Sequence, residues 1–166
     1  MNIRCLSLIL CFLSFIIHRQ SYVFCSGIAT SFVDVVVSEL SIDNEYNFTV
    51  LSGRSLQVIN RGDKQINVTI TPQVPQYNLK VGSEPIPDIN WVKIVPDNYK
   101  LETNQTGISD VFIKIPKDKT LRGRTFQFNI EICGYPLGKK DSISLVPALL
   151  SKVRFTIKKK KTFLLW

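Results

Sequence analysis

TFQFNIEIC, residues Thr125 to Cys133, is the stretch that decides the fold class of this chain. Phe126, Phe128, Ile130 and Ile132 occupy alternate positions, with Gln127, Asn129 and Glu131 between them. A side-chain period of two belongs to an extended strand that lays one face on an apolar core, whereas a helix would space its apolar residues three or four apart. The phenylalanines and isoleucines are therefore expected to point inward, and Gln127, Asn129 and Glu131 outward.

The same period recurs on both sides. SKVRFTIK (Ser151–Lys158) alternates Val153, Phe155 and Ile157 with Lys152, Arg154 and Thr156. SDVFIKIP alternates Val111, Ile113 and Ile115 with Phe112 and Lys114, and Pro116 stops it. WVKIV (Trp91–Val95) sets Val92 and Ile94 against Trp91, Lys93 and Val95 and ends at Pro96, because proline cannot donate to a ladder. SFVDVVVSEL (Ser31–Leu40) turns Phe32, Val35 and Val37 inward and Asp34 outward, and the extended run YNFTV (Tyr46–Val50) follows. In SLQVIN, Leu56 and Val58 share a face; in QINVTIT, Ile66, Val68 and Ile70 do. The short link Arg61-Gly62-Asp63-Lys64 between these runs predicts a β-hairpin, with Gly62 supplying a positive φ. Four prolines then punctuate Thr71–Asn90, which predicts a connection crossing between sheets, with a short edge strand near Tyr77–Val81. KDKTLRG and GYPLGKKDS read as loops. Together these runs predict an all-β fold, an antiparallel immunoglobulin-like β-sandwich of about seven to eight strands. No Cys…Trp…Cys framework is present, which sets the chain apart from antibody-like domains.

The N-terminus follows a different rule. Arg4 precedes an uncharged apolar run from Cys5 to Ile17, 13 residues long, and His18, Arg19 and Gln20 break it. That length suits the apolar core of a signal peptide and falls short of the ~20 residues of a spanning helix. Small residues at Ser26-Gly27 and Ala29 place cleavage after Gly27 or Ala29; an uncleaved membrane anchor is the minority reading. The expected organisation is a signal peptide at 1–29, the sandwich at 30–158 and a basic, apolar-ended tail at 159–166, with the protein exported to a periplasmic or extracellular compartment. Tyr22, Val23 and Phe24 are too bulky to precede a lipidated Cys25. Cleavage after Ala29 would leave only Cys133, read as a small buried strand residue; retention of Cys25 would allow a Cys25–Cys133 bridge.

The segment WVKIVPDNYKLETNQTGISDVFIKIPKDKTLRGRTFQFNI, Trp91 to Ile130, resembles bacterial extracytoplasmic Ig-like domains. These include the N-terminal domain of periplasmic pilus chaperones and the Ig-like domains of surface proteins that bind cell wall or partner proteins. VINRGDKQINVTIT is similar to the early hairpin of such domains, and the resemblance extends over Val50–Ile157. It implies the fold, an extracytoplasmic compartment and a role as a binding or structural module. A pilus chaperone has two such domains with basic residues in the cleft between them. This chain has room for one, so no chaperone residues carry over.

Composition narrows the function further. Of 166 residues, 45% are hydrophobic and 20% charged, which suits a globular core rather than a disordered chain. Net charge is +8; without residues 1–29, 19 basic and 13 acidic residues leave +6, spread except for Lys158, Lys159, Lys160 and Lys161. That is no footprint of a nucleic-acid binder. The single histidine is His18, inside the leader, so the mature chain lacks an imidazole base or ligand, and no Gly-rich phosphate loop occurs. No cofactor and no enzyme activity are expected; a glycan-active enzyme built on carboxylates alone is the remote alternative. Arg61-Gly62-Asp63 reads as turn chemistry rather than an adhesion signal. Asn47-Phe-Thr, Asn67-Val-Thr and Asn104-Gln-Thr fit N-glycosylation acceptors. Lys158–Lys161, followed by TFLLW, reads as a solvated terminus or as a weak contact with anionic lipid or cell-envelope polymer. The function expected is a non-catalytic exported module that binds another envelope or surface protein. The alternative is a structural domain or a truncated fragment of a larger surface protein.

Overall fold

Eleven strand segments build two facing sheets in the computed structural model, which describes residues 27–137 and 146–159. The first sheet is organised on β9 (Thr106–Ile115). One edge of β9 carries β4 (Leu56–Asn60) and β3 (Asn44–Asn47), and β1 (Ile28–Ala29) extends β4. β7 (Val92–Val95) also pairs with Phe112 and Ile113, which already face β3, so it lies on the opposite edge of β9. The second sheet runs β2 (Asp34–Leu40), β11 (Ala148–Ile157), β10 (Thr125–Pro136), β5 (Ile66–Gln73), β8 (Asn98–Leu101). β6 (Glu84–Pro85) fills the rest of the β10 edge beyond β5. The fold is thus the all-β Ig-like sandwich expected. The surplus over eight strands comes from two-residue pieces and from β8, whose single buried residue, Leu101, gives no alternation to read. Pairing is antiparallel except for β2 on β11 and β6 on β10.

The inner faces interdigitate as their periods require. Phe126, Phe128, Ile130 and Ile132 of β10 and Val153, Phe155 and Ile157 of β11 are buried, facing Val58, Val111, Ile113 and Ile115 of the first sheet. Phe155 is the hub of an aromatic cluster, with ring centroids 5.6 Å from Phe126, 6.2 Å from Phe48 and 6.3 Å from Phe128. Phe48 opens the short helix that follows β3 of the first sheet, so the cluster ties the two layers together.

Several local expectations are corrected. Tyr46–Val50 does not stay extended. Asn47 Oδ1 accepts from the Thr49 and Val50 amides and caps a short helix, α1 (Phe48–Ser52), which ends at Gly53 with φ 65°. The alternating pattern could not distinguish this from a strand because only Phe48 need be buried. The predicted hairpin is an arch: β4 belongs to the first sheet and β5 to the second. Alternation reports which side chains are buried, not which sheet a strand joins. Gly62 is not the positive-φ residue; among the described glycines those are Gly53, Gly82 and Gly123. The 71–90 connection does pass between sheets, but its edge segment is β6, while Tyr77, Leu79 and Val81 are exposed outside any strand. Gln127 and Asn129 point away from the core as expected, yet are buried. The connection folds over them: the Lys80 amide donates to Gln127 Oε1 at 3.0 Å, and the Ile86 amide to the Gln127 carbonyl at 2.9 Å. Cys133 is only half-buried, on the outer side of β10. The start of GYPLGKKDS, Gly134–Pro136, continues β10 rather than looping; residues 138–145, Cys25 and most of the leader lie outside the described residues, and Ile28–Ala29, read as the leader's end, form β1.

Between the sheets at the β8 side, Tyr99 lies directly over Gly107. A Cβ at Gly107 would fall inside the van der Waals envelope of the Tyr99 ring, 2.7 Å from Cδ2. Burial pushes the Tyr99 phenol up, and Ser109 opposes the shift. Gly107→Ala is expected to expel the ring and cost roughly 2 kcal/mol, read as a lowered urea midpoint. In a Tyr99→Ala background the same change should cost much less, because its opponent is gone.

Candidate functional site

The residues nominated by sequence do not converge. Asn47 serves as the α1 cap on the first sheet. Asn67 lies on β5, opposite Lys100 and Tyr135. Asn104 is exposed at the turn between β8 and β9 with φ 62°. Arg61 and Asp63 are exposed on the arch, and Gly62 between them is buried. The arch is held by the backbone just before β1 and by Asn60: the Arg61 amide donates to the Gly27 carbonyl at 3.0 Å, and the Gly62 amide to Asn60 Oδ1 at 2.9 Å. That is the turn role assigned to the triplet. Lys158 and Lys159 are exposed, but the Lys158 amide is tied to the Leu40 carbonyl at 2.8 Å; Lys160 and Lys161 lie outside the described residues.

Two surface features are not fully legible in the sequence. The first is the outer edge of β2. The Lys152 amide donates to the Val33 carbonyl at 2.7 Å, and Val35 is aligned with Val153. In a parallel ladder a residue's N–H and C=O point to the same side, so those of Asp34 and Val36 face away from β11. Val33 and Val36 also expose more than half of their surface. Asp34 opens the strand between two cations, with Arg154 Nη2 at 3.2 Å and Lys80 Nζ at 3.5 Å. Its burial raises the carboxyl pKa, but the hydrogen bonds and charge of Arg154 and Lys80 prevail and hold it below the ordinary value.

The second feature is a groove of about 570 Å³ on the outer face of the second sheet. Its floor is made by Gln73 of β5, Asn129 and Glu131 of β10 and Leu150 of β11, and its wall by Val74–Tyr77. Sequence alternation gives the outward direction of the floor residues. It does not show that the 74–77 segment rises beside them.

Among the described residues no group of three His, Cys, Asp or Glu side chains is placed to hold a metal ion, and no helix is long and apolar enough to cross a membrane. No family profile and no curated protein matches the chain in sequence. Solved structures do match in fold. A human CEP192 ASH/PapD-like domain is similar at TM-score 0.58 and 9% identity, over 81% of this chain and 87% of that one. The E. coli chaperone DraB is similar at TM-score 0.51 and 16% identity, over 82% of this chain. The Salmonella enterica complex of SafA pilin with the SafB chaperone gives TM-score 0.53 and 16% identity over 83% of this chain. The chain spans 58% of the length of each of these two bacterial chains. The fold is PapD-like, as the resemblance of Trp91–Ile130 implied.

Proposed function

We propose that this chain is an exported, non-catalytic Ig-like module that binds another envelope or surface protein along the edge of β2 that no other described strand covers. The observation that carries the reading is that edge: outward-facing backbone groups at Asp34 and Val36, flanked by exposed Val33 and Val36. An unpaired strand edge with apolar side chains accepts an added strand from a partner, whose main chain supplies affinity and whose side chains supply specificity. Fold-level likeness to chaperones, one solved with a pilin, supports a protein partner. The apolar run Cys5–Ile17, read as the core of an export signal, supports a periplasmic or extracellular location.

The test is affinity capture from envelope extracts of the native host, with chemical cross-linking, using the parent chain and Val36→Pro. Proline at this position removes an N–H that the β11 ladder does not use, so the fold should lose no more than roughly 1 kcal/mol. The parent is expected to recover the same protein repeatedly and the variant to lose it. A parent bait that recovers nothing, or a variant that captures equally well, defeats the reading.

A further inference from the structure

The groove on the second sheet has a chemistry unlike that of the β2 edge. Three of its four floor side chains, Gln73, Asn129 and Glu131, are polar and pre-oriented, beside Leu150. Gln73 Nε2 donates to Glu131 Oε2 at 2.6 Å, which leaves Glu131 Oε1 and Gln73 Oε1 as acceptors. Gln127 Nε2 donates to Asn129 Oδ1 at 3.2 Å, which leaves the Asn129 Nδ2 group as a donor. Gln127 is in turn fixed through Oε1 by the Lys80 amide. Donor and acceptors thus stand beside one another at cross-strand spacing, since Gln73 lies directly opposite Asn129 and Leu150 opposite Glu131. Beside them rises Tyr77, 71% exposed. An aromatic ring presented to water next to fixed amides and a carboxylate matches a ligand with an apolar C–H face and hydroxyls that both donate and accept.

The backbone discriminates further. Where the floor lies, β10 pairs with β5 on one side and β11 on the other. The backbone of β10 at Asn129 and Glu131 is therefore taken up, and recognition on this part of the floor comes from side chains. The carboxylate of Glu131 disfavours an anionic ligand. We propose that this groove is a binding site for a neutral oligosaccharide, with Tyr77 stacking on a sugar ring and Asn129, Gln73 and Glu131 bonding to its hydroxyls. This inference stands apart from the protein-binding reading, because the groove and the β2 edge are different surfaces.

The experiment uses the purified chain and a panel of neutral oligosaccharides (β-glucan, mannan, chitin and α-glucan fragments), read by calorimetry and by perturbation of backbone NMR signals. At least one class is expected to bind and to shift signals of Gln73–Tyr77 and Asn129–Glu131. Tyr77→Ala should weaken it about tenfold or more, since the lost aromatic contact amounts to roughly 1.5 kcal/mol. Glu131→Gln should also weaken it, while Val36→Pro should leave it unchanged. Both groove substitutions are at solvent-accessible side chains, and equal melting temperatures verify that the fold is kept. No binding across the panel, binding indifferent to Tyr77→Ala, or shifts that map elsewhere would each overturn the proposal, as would groove-dependent capture of a protein without saccharide binding.

Discussion

Phe155→Ala lowers the unfolding free energy by about 3 to 5 kcal/mol and the melting temperature by roughly 10 to 20 °C. The side chain is fully buried and its ring meets Phe48, Phe126 and Phe128. Its loss removes the transfer free energy of a whole aromatic ring and leaves a cavity whose walls belong to both sheets. The backbone of β11 cannot move in to close it, because β11 is held between β10 and β2 along its length. The expected loss is a large share of the 5 to 15 kcal/mol by which a domain of this size is stable. Phe155→Leu separates the two causes. It keeps most of the apolar volume and should cost less than about half as much, whereas a purely local strand-propensity effect would make the two variants equal. Denaturant titration followed by tryptophan emission reads both, since Trp91 packs edge-on against Phe126 at 6.3 Å.

The aromatic cluster was legible in the sequence because a sheet face with one side on the core writes itself as a period of two. TFQFNIEIC and SKVRFTIK place Phe126, Phe128 and Phe155 on the inner face by period alone. What alternation does not encode is which strand pairs with which. Val58 and Val68 are both buried and both belong to clean alternating runs, yet they lie on different sheets. Nor does it encode what covers an outer face. Gln127 and Asn129 look like solvent positions until the 74–87 connection folds across them. The groove was hidden for the same reason: Tyr77 and Glu131 are more than 50 positions apart, and only the path of that connection brings them together. The β2 edge was partly written, in Phe32, Val35 and Val37, but its free side follows from a parallel pairing that no local pattern signals.

Asn60→Ala tests the arch that replaced the predicted hairpin. Asn60 is fully buried at the end of β4, where the chain leaves the first sheet for the second. Its Nδ2 donates to the Lys64 carbonyl at 2.8 Å and to the Leu101 carbonyl at 3.2 Å, and its Oδ1 accepts from the Gly62 amide. Its backbone carbonyl receives the Asn104 amide at 2.8 Å. One side chain therefore satisfies both limbs of the arch and pins them to β8. Alanine removes the partner of the buried Gly62 amide and of the Leu101 carbonyl, at about 1 to 3 kcal/mol for each that finds no water, so a total near 2 to 5 kcal/mol is expected. A hairpin turn at Arg61–Lys64 would predict much less, because its polar groups would face solvent. Asn60→Asp sharpens the distinction. The isosteric carboxylate keeps the acceptor for Gly62 but turns its second oxygen toward two carbonyl oxygens. The charged form is disfavoured in the folded state, so the folded pKa of the introduced acid rises above its unfolded value of roughly 4. The variant is then most stable below that unfolded pKa, where the protonated acid can donate, and loses stability as pH rises through the folded pKa. Its deficit against the parent should therefore narrow between pH 7 and pH 4, while the deficit of Asn60→Ala stays constant. Parallel denaturation curves at both pH values measure this, and a pH-independent Asn60→Asp deficit would show that the side chain does not hold the carbonyls of Lys64 and Leu101.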